Sequence, residues 1–382
     1  MYGDLPKYAT LLVISDTTVF KRDGKAYGFG PVVKEIDAML HLFKEITWIG
    51  FNRQAQAYNK SSLLISSERV KVIPLQHVGG TTLKDKVSII KQYPSMWKII
   101  NSEIKKHTYI HCRAPSNPAF IAMRLSKKYP KKQFWFKYAG NWVGKVPYFY
   151  RLQRDLLKKL NKNSLITVNG TWDNQSENIL AFENPCLTES HRKEGEVTIQ
   201  GKLYTKHKKY CFVGGLNHNK GILLLLEALK TTINEEFGEL HIVGDGNLEH
   251  VVSSKVSGLN HKINLHGSLS KKQVHEVYKK CHFIVLPSKS EGFPKVIGEA
   301  MNFGCIPIVS DISCIGQYID TDKTGFLITP IDEVEIKKAL QKSFSLSEEK
   351  FKNIINLNYK LAEKFTYTHY LERIEKDIFK NP

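Results

Sequence analysis

From Lys208 onward, short runs of β-branched and aromatic residues alternate with amphipathic stretches of helical length, and this alternation constrains the fold more than any other feature. The strand-like runs are KYCFVGG, ELHIVGDG, INLHG, HFIVLPS, IPIVS and GFLI; between them lie KGILLLLEALKTTIN, NLEHVVSSKVSGL, KKQVHEVYKKC, FPKVIGEAMNFG and CIGQYI. Parallel strands cannot be joined by a tight turn and need a crossover, usually a helix, so the pattern predicts a doubly wound, Rossmann-like sheet. The first half has the same flavour, with ATLLVIS, EITWIGF, VKVIPL, TYIHCRA, QFWFKYAG and LITVNG as strand candidates at helix-sized intervals. A chain of 382 residues accommodates two cores. The expectation is an α/β protein of two Rossmann-like domains: residues 1–188, a polar linker over 189–207 with few bulky apolar side chains, and residues 208–365. After Thr329 the spacing stays helical, and 366–382 is expected to pack back on the first domain. Ligands of such sheets bind at the carboxyl ends of the strands, here in a cleft where the two domains face each other.

Composition limits the partners and the setting. Lys and Arg number 56 against 37 Asp and Glu, a net charge of +19 that favours anionic partners: nucleic acid, anionic lipid or phosphorylated ligands. Charge alone does not choose among them. The cysteines, at 112, 186, 211, 281, 305 and 314, form no CxxC pair and several sit in apolar runs, which reads as reduced, buried thiols in a cytosolic protein. The start, MYGDLPKYATLLVIS, has an acid and a proline where a signal peptide needs a basic leader. No run reaches the roughly 20 apolar residues of a membrane span. A cytoplasmic protein is expected, with any membrane attachment peripheral and on the inner face.

The stretch SKSEGFPKVIGEAM, Ser288 to Met301, carries the most chemistry. HFIVLPS reads as a buried strand and SKSEGF as the turn leaving its carboxyl end. Pro294 suits the first helical position and Gly304 the cap beyond the other end. A helix start at a sheet edge offers backbone donors and the positive end of a dipole to phosphate, and Gly292 permits close approach. Glu291 and Glu299 flank that point, roughly 10–12 Å apart if most of the interval is helical. Carboxylates accept paired hydroxyl donors, so one acid can hold a sugar and the other a ribose, with a diphosphate between them. An ordinary solvated Glu would also stand where Glu299 does, at the rim of the apolar arc of Val296, Ile297, Ala300, Met301 and Phe303. In FVGGLNHNKGILLLLEAL, Gly214-Gly215 end a strand and Lys220 opens the next helix, within reach of the same diphosphate. Gly244-Asp245-Gly246 and His266, in LHGSLS, mark two further strand-end turns on that edge.

These residues resemble a known family. SEGFPKVIGEAMNFGCIPIVS is similar to the E-x7-E signature of the retaining glycosyltransferases of family 4, and FVGGLNHNKG to their phosphate-lysine segment; the similarity continues through IGQYIDTDKTGFLI and covers most of Tyr210 to Pro330. In the first half, YGFGPVVKEI, with Gly28 and Gly30, resembles the glycine-rich loop that approaches the donor diphosphate, and FKYAGNW occupies the place of an acceptor or donor loop. The resemblance implies a GT-B architecture, a nucleotide-sugar donor, and retention of anomeric configuration with no metal or other cofactor. It assigns Glu291 to the sugar hydroxyls, Glu299 to ribose, the backbone of Phe293, Pro294 and Lys295 to the sugar and diphosphate, and Lys220 to the leaving diphosphate. Two positions depart from the pattern. The family commonly has Arg where this chain has Gly215, and many members have Glu where it has Gln317. Arg113 or Lys295 are candidates to replace the missing phosphate cation.

The acceptor side is read from the first half. SEIKKH, RLSKKYPKKQFWFKY and VPYFYRLQRDLLKKLNKNS interleave cations with aromatics, as a face for anionic lipid headgroups would, and such a face suits a polyprenyl diphosphate acceptor. A solvated basic surface would look the same. Arg113, in IHCRAPSNPAF, is placed to meet a phosphate or an acidic sugar, with a structural ion pair as the plainer reading. Asn141 and Trp142 are candidates to line an acceptor pocket. The function expected is sugar transfer from a UDP- or GDP-sugar to a glycan or polyprenyl-linked acceptor in surface polysaccharide biosynthesis. The alternatives are a catalytically idle binding homologue, which Gly215 and Gln317 favour, and a nucleic-acid binder, which charge alone supports and no recognition motif accompanies.

Overall fold

The computed structural model describes residues 9–53, 62–80, 82–161, 163–232, 235–260 and 262–379; the segment read above for a leader begins outside them. The chain divides into two compact units, Met1–Phe182 with Tyr370–Pro382, and Glu183–His369.

In the first unit the chain order is β1 (Thr10–Arg22), β2 (Lys25–Phe29), α1 (Gly30–Met39), β3 (Glu45–Asn52), β4 (Ser62–Leu64), β5 (Val70–Gln76), α2 (Leu83–Lys106), β6 (Tyr109–Ala114), α3 (Asn117–Ser126), β7 (Gln133–Tyr138), α4 (Tyr148–Leu157), β8 (Ser164–Val168) and β9 (Ile179–Ala181). The parallel sheet runs β5-β3-β1-β6-β7-β8-β9. Successive side chains of a strand point to opposite faces, so both faces of this sheet are apolar: Leu12, Ile14, Ile110 and Phe136 join one core with residues of α2 and α3, and Leu11, Val13, Trp48 and Trp135 join the other with residues of α1. β1 outruns its neighbours. Its register shifts between Ile14 and Thr18, and Val19–Arg22 form an antiparallel ladder with β2, which in turn pairs β4. The hairpin turn is Asp23-Gly24 with φ of 50° and 73°, the left-handed pair that Asp-Gly adopts most readily.

The second unit contains α5 (Glu189–Gly201), β10 (Lys208–Val213), α6 (Ile222–Lys230), β11 (Phe237–Val243), α7 (Glu249–Ser257), β12 (Ile263–Leu265), α8 (Lys271–Lys280), β13 (Phe283–Leu286), α9 (Lys295–Asn302), β14 (Ile306–Ser310), β15 (Phe326–Ile328), α10 (Glu333–Phe344) and α11 (Glu348–Ala362). Its sheet is parallel throughout, in the order β12-β11-β10-β13-β14-β15. A last helix, α12 (Tyr367–Arg373), continues as a π-turn to Ile378. Tyr370, Ile374, Ile378 and Phe379 complete the α1-side core of the first unit, with Tyr370 against Phe182 at 5.6 Å and Trp135 at 6.2 Å.

The polar stretch expected as a linker, 189–207, is instead helical over α5 and belongs to the second unit. Thr188 caps it reciprocally: its hydroxyl accepts from the His191 amide at 3.3 Å while its own amide donates to His191 Nδ1 at 3.2 Å. The helix docks through a cation rather than an apolar stripe. The Arg192 guanidinium donates to Asn302 Oδ1 at 2.7 Å and Glu363 Oε2 at 3.0 Å, and lies 3.7 Å from the Tyr359 ring. Apolar periodicity is absent because polar contacts replace it.

All six cysteines are buried free thiols. Among the described residues no helix is long and apolar enough to cross a membrane.

Candidate active site

The strand order of the second unit fixes where a ligand can enter. From β10 the chain proceeds outward on one side to β11 and β12, then returns to the other side for β13, β14 and β15. The connections leaving β10 and β13 therefore diverge, and the crevice between them at the carboxyl ends is the binding position of such sheets. The β10 connection carries Gly214 to Gly221 and the β13 connection Pro287 to Pro294.

These two connections are tied to each other. Lys220 Nζ donates to Glu291 Oε1 in a close ion pair, with the side chains 24% and 13% exposed. Asn219 Nδ2 donates to the Ser290 carbonyl at 2.8 Å, and the Lys289 amide to the Asn219 carbonyl at 2.7 Å. Lys220 closes a short 3-10 turn, His218–Lys220, rather than opening α6. Asn217 organises that turn, accepting at Oδ1 from the amides of Asn219 (3.0 Å) and Lys220 (3.1 Å). Gly221 follows with φ 73°, and the Pro287 carbonyl occupies the space a β-carbon would need. Only glycine combines that dihedral with that approach.

The β11 turn joins the same edge. The Gly214 amide donates to the Val243 carbonyl at 3.0 Å, Leu216 to Asp245 at 2.7 Å, and Gly244, with φ 136°, to Gly267 at 2.8 Å. Gly215 has the Asn217 side-chain Nδ2 3.1 Å from where its β-carbon would stand. His266 Nε2 lies 2.9 Å from His241 Nδ1, the rings stacked at 5.2 Å. Beneath them Glu239 meets Lys209 at 2.8 Å and Lys262 at 3.0 Å. Burial acts to raise the Glu239 carboxyl, but the hydrogen bonds from the two lysines outweigh it and hold the group at about 2. Burial lowers the neighbouring His241 imidazole. His266 is thus backed by the His241 ring over a carboxylate held by two lysines.

α9 begins one residue later than expected: Pro294 has ψ 121° and is the residue before the first turn, which opens at Lys295. No side chain caps it; within the first turn the Ile297 amide donates to the Pro294 carbonyl at 3.1 Å, and a helix start of this kind is where backbone donors can meet an anion. Phe293 turns into the core, stacked on Phe365 at 4.9 Å and against Tyr318 at 4.8 Å, which leaves its backbone and that of Gly292 at the turn. Gly304 has φ 71° just beyond the carboxyl end of the helix. Glu299, 13% exposed, pairs with Lys271 at 3.0 Å.

The residues expected from the first half lie in different settings. Gly28 is in β2, not in a loop, and lacks a side chain because the Trp48 ring fills that space, 2.5 Å from where a β-carbon would be. Gly30 is the buried first residue of α1. Arg113 is held by Glu35 Oε2 at 2.5 Å, and the buried Lys137 shares that oxygen at 3.1 Å. The structure thus places Arg113 in the ion pair that was the plainer sequence reading. Trp142 is a core residue, 3% exposed, set edge-on to Tyr138 at 5.2 Å. Asn141 closes its own turn, accepting from the Gly144 amide at 2.9 Å. Lys271 and Asn217 escaped the sequence reading. Asn217 carried a usable signal, an Asn three residues before a strand-end Lys, while nothing in the sequence links Lys271 to Glu299.

The second unit is a doubly wound domain with glycine-built turns and a lysine–glutamate pair at its switch point, and the two Rossmann-like sheets are those of the GT-B fold. Residues 193–361, within the second unit, match the family Glycosyl transferases group 1. A segment of 167 residues is 28% identical to an uncharacterized glycosyltransferase of Methanocaldococcus jannaschii, covering 43% of this chain and 46% of that protein. The match thus spans less than half the length of that curated relative. Over 138 residues the chain is 28% identical to the GDP-mannose:cellobiosyl-diphosphopolyprenol alpha-mannosyltransferase of Xanthomonas oryzae, covering 34% of this chain and 36% of that protein. Among solved structures, HepE of Anabaena in complex with UDP superposes with a TM-score of 0.66 at 14% identity, covering 96% of this chain and 98% of that one.

Proposed function

We propose that the chain is a retaining glycosyltransferase of the family 4 type, moving one sugar from a UDP- or GDP-activated donor to a glycan or polyprenyl-diphosphate-linked acceptor in surface polysaccharide synthesis. The observation that carries this reading is the Lys220–Glu291 pair at the switch point, with the uncapped start of α9 on the same connection. As the sugar–phosphate bond breaks, negative charge grows on the diphosphate and the sugar becomes oxocarbenium-like. Donors aimed at phosphate therefore favour the transition state over the ground state. Lys220 leaves Glu291 for the diphosphate, the released carboxylate accepts from the sugar hydroxyls, and Glu299 accepts from the ribose. The acceptor hydroxyl attacks on the face the diphosphate vacates, the leaving group takes its proton, and retention follows. Lys220 and the helix start supply the positive charge that a metal would otherwise bring, so EDTA is expected to leave turnover unchanged. The donor and acceptor classes are supported by the names of the Xanthomonas relative and the UDP complex of HepE.

The test is a thermal-shift and product-release series with nucleoside diphosphates and their sugars. One nucleotide should raise the melting midpoint by mass action, and its sugar should release nucleoside diphosphate only with acceptor present. Binding without release across a broad acceptor panel would instead identify the idle homologue that Gly215 and Gln317 favour, and no shift with any nucleotide would refute the proposal.

The same reading includes docking of the first unit on an anionic bilayer from the inner face of the membrane. α4 exposes Tyr148 (71%), Tyr150 (41%) and Leu152 (39%), beside a cavity of about 430 Å³ lined by Phe120, Leu152 and Leu156 and edged by Arg124, Lys127 and Lys159 against the single acid Asp155. Aromatics sit at a bilayer interface, and each nearby cation adds about 1 kcal/mol toward anionic lipid. Flotation should recover the protein with phosphatidylglycerol vesicles and lose it when Arg124, Lys127 and Lys159 become Gln. Equal recovery with neutral vesicles would remove this part of the proposal.

A further inference from the structure

We propose that Lys271 is a positioning residue for Glu299, holding that carboxylate ready for the donor's ribose; this rests on the nucleotide-sugar reading above. Lys271 is the first residue of α8, directly after Ser270, whose side chain and that of Gln273 cap the helix reciprocally. A cation in the first turn opposes the helix dipole, so its placement there does not serve α8. Its ammonium instead leaves the helix. It donates to Glu299 Oε1 at 3.0 Å and to the Cys186 carbonyl.

That second acceptor is itself fixed. The Cys186 amide donates to the Phe365 carbonyl at 2.9 Å, and its thiol lies 3.6 Å from the Lys295 carbonyl in the first turn of α9, the helix that carries Glu299. Lys271 therefore joins the acid to a carbonyl already registered against the acid's own helix. A glutamate has three rotatable bonds, and ordering it before the ligand arrives removes an entropic cost from binding. Lys271 meets Glu299 through Oε1, and a carboxylate so held can still accept ribose hydroxyls through its remaining lone pairs. The two lysine–glutamate pairs then differ in kind. Lys220 is drawn onto the diphosphate and gives up Glu291, whereas Lys271, with a carbonyl as its other partner, keeps Glu299 throughout.

The experiment uses the full chain and whichever of UDP or GDP stabilises it, titrated beside the corresponding 2′-deoxyribonucleoside diphosphate. The wild type should prefer the ribonucleotide by about tenfold to a hundredfold, the scale of a hydrogen bond to a charged group. Lys271→Met should reduce that preference to within about threefold and raise KM for the donor sugar, with kcat at saturation little changed, the signature of lost binding rather than lost chemistry. Lys271→Arg should restore the preference. Lys271→Gln, which can still donate to both acceptors, provides a folded comparison if the Met variant is unstable, and should retain part of it. The inference is overturned if Glu299→Gln loses the preference while Lys271→Met or Lys271→Gln keeps the wild-type ratio at a lowered melting midpoint, because Lys271 is then only a structural tie. A wild type that binds no nucleoside diphosphate, or binds both sugars equally, overturns the parent reading as well, which separates the two failures.

Discussion

Lys220→Met will lower kcat/KM for the donor sugar by about 10²–10³-fold, the loss found when one preorganised donor to a developing anion is removed. Glu291→Gln will cause a loss of similar size. Because the two side chains are paired in the unliganded protein, the double variant will fall short of the product of the single effects by about tenfold or more. The physical reason is asymmetric. Without Lys220, the Glu291 carboxylate is left partly buried where an anionic diphosphate must enter, so repulsion adds to the lost attraction. Removing both charges relieves that repulsion. The melting midpoint of the double variant should stay within about 4 °C of wild type, since a partly exposed pair contributes about 1 kcal/mol or less. Steady-state kinetics with calorimetry on the three variants checks this, and fully multiplicative losses would mean the residues never share a role.

Gly221→Ala is expected to damage both the stability and the site of the second unit. A β-carbon there must adopt φ 73°, which costs about 1–2 kcal/mol for an L-residue, and must displace the Pro287 carbonyl, adding about 1–3 kcal/mol of overpacking. Shifting Pro287 also moves the connection that carries Glu291, so stability and transfer should fall together. A loss of about 3 kcal/mol corresponds to a midpoint drop of about 6–12 °C for a unit of this size. Gly214→Ala is the control, because nothing lies closer than 3.8 Å to its β-carbon position. A Gly221→Ala variant with the control's midpoint would show that the two connections are not packed as described.

The parallel sheets were legible because their strands are buried on both faces and so read as continuous apolar runs, as with LLVI in β1 and HFIVL at β13. The antiparallel extension of β1 by β2 and β4 was not read, although Asp23-Gly24 marks the β1–β2 turn, because strands of three to five residues leave too little alternation. α5 was missed for a different reason: Arg192 docks it, and a helix held by a guanidinium carries no apolar stripe. Glu291 and Lys220 were legible because each follows a strand end, where topology alone brings side chains together. Lys271 and Glu299 meet only through the packing of α8 on α9, which spacing does not encode. Arg113 and Trp142 show the converse. A cation or an aromatic after a strand looks the same in sequence whether it awaits a ligand or, as here, is taken up by Glu35 and by the core.

The most direct test of the central claim is a crystal structure of the chain with its nucleoside diphosphate sugar bound. The account predicts the diphosphate against the first turn of α9, with Lys220 Nζ within about 3 Å of a phosphate oxygen, the Lys220–Glu291 pair opened, and the sugar and ribose hydroxyls on Glu291 and Glu299 respectively. A diphosphate bound away from the β10 and β13 connections, or one bound there with the Lys220–Glu291 pair still closed, would contradict it.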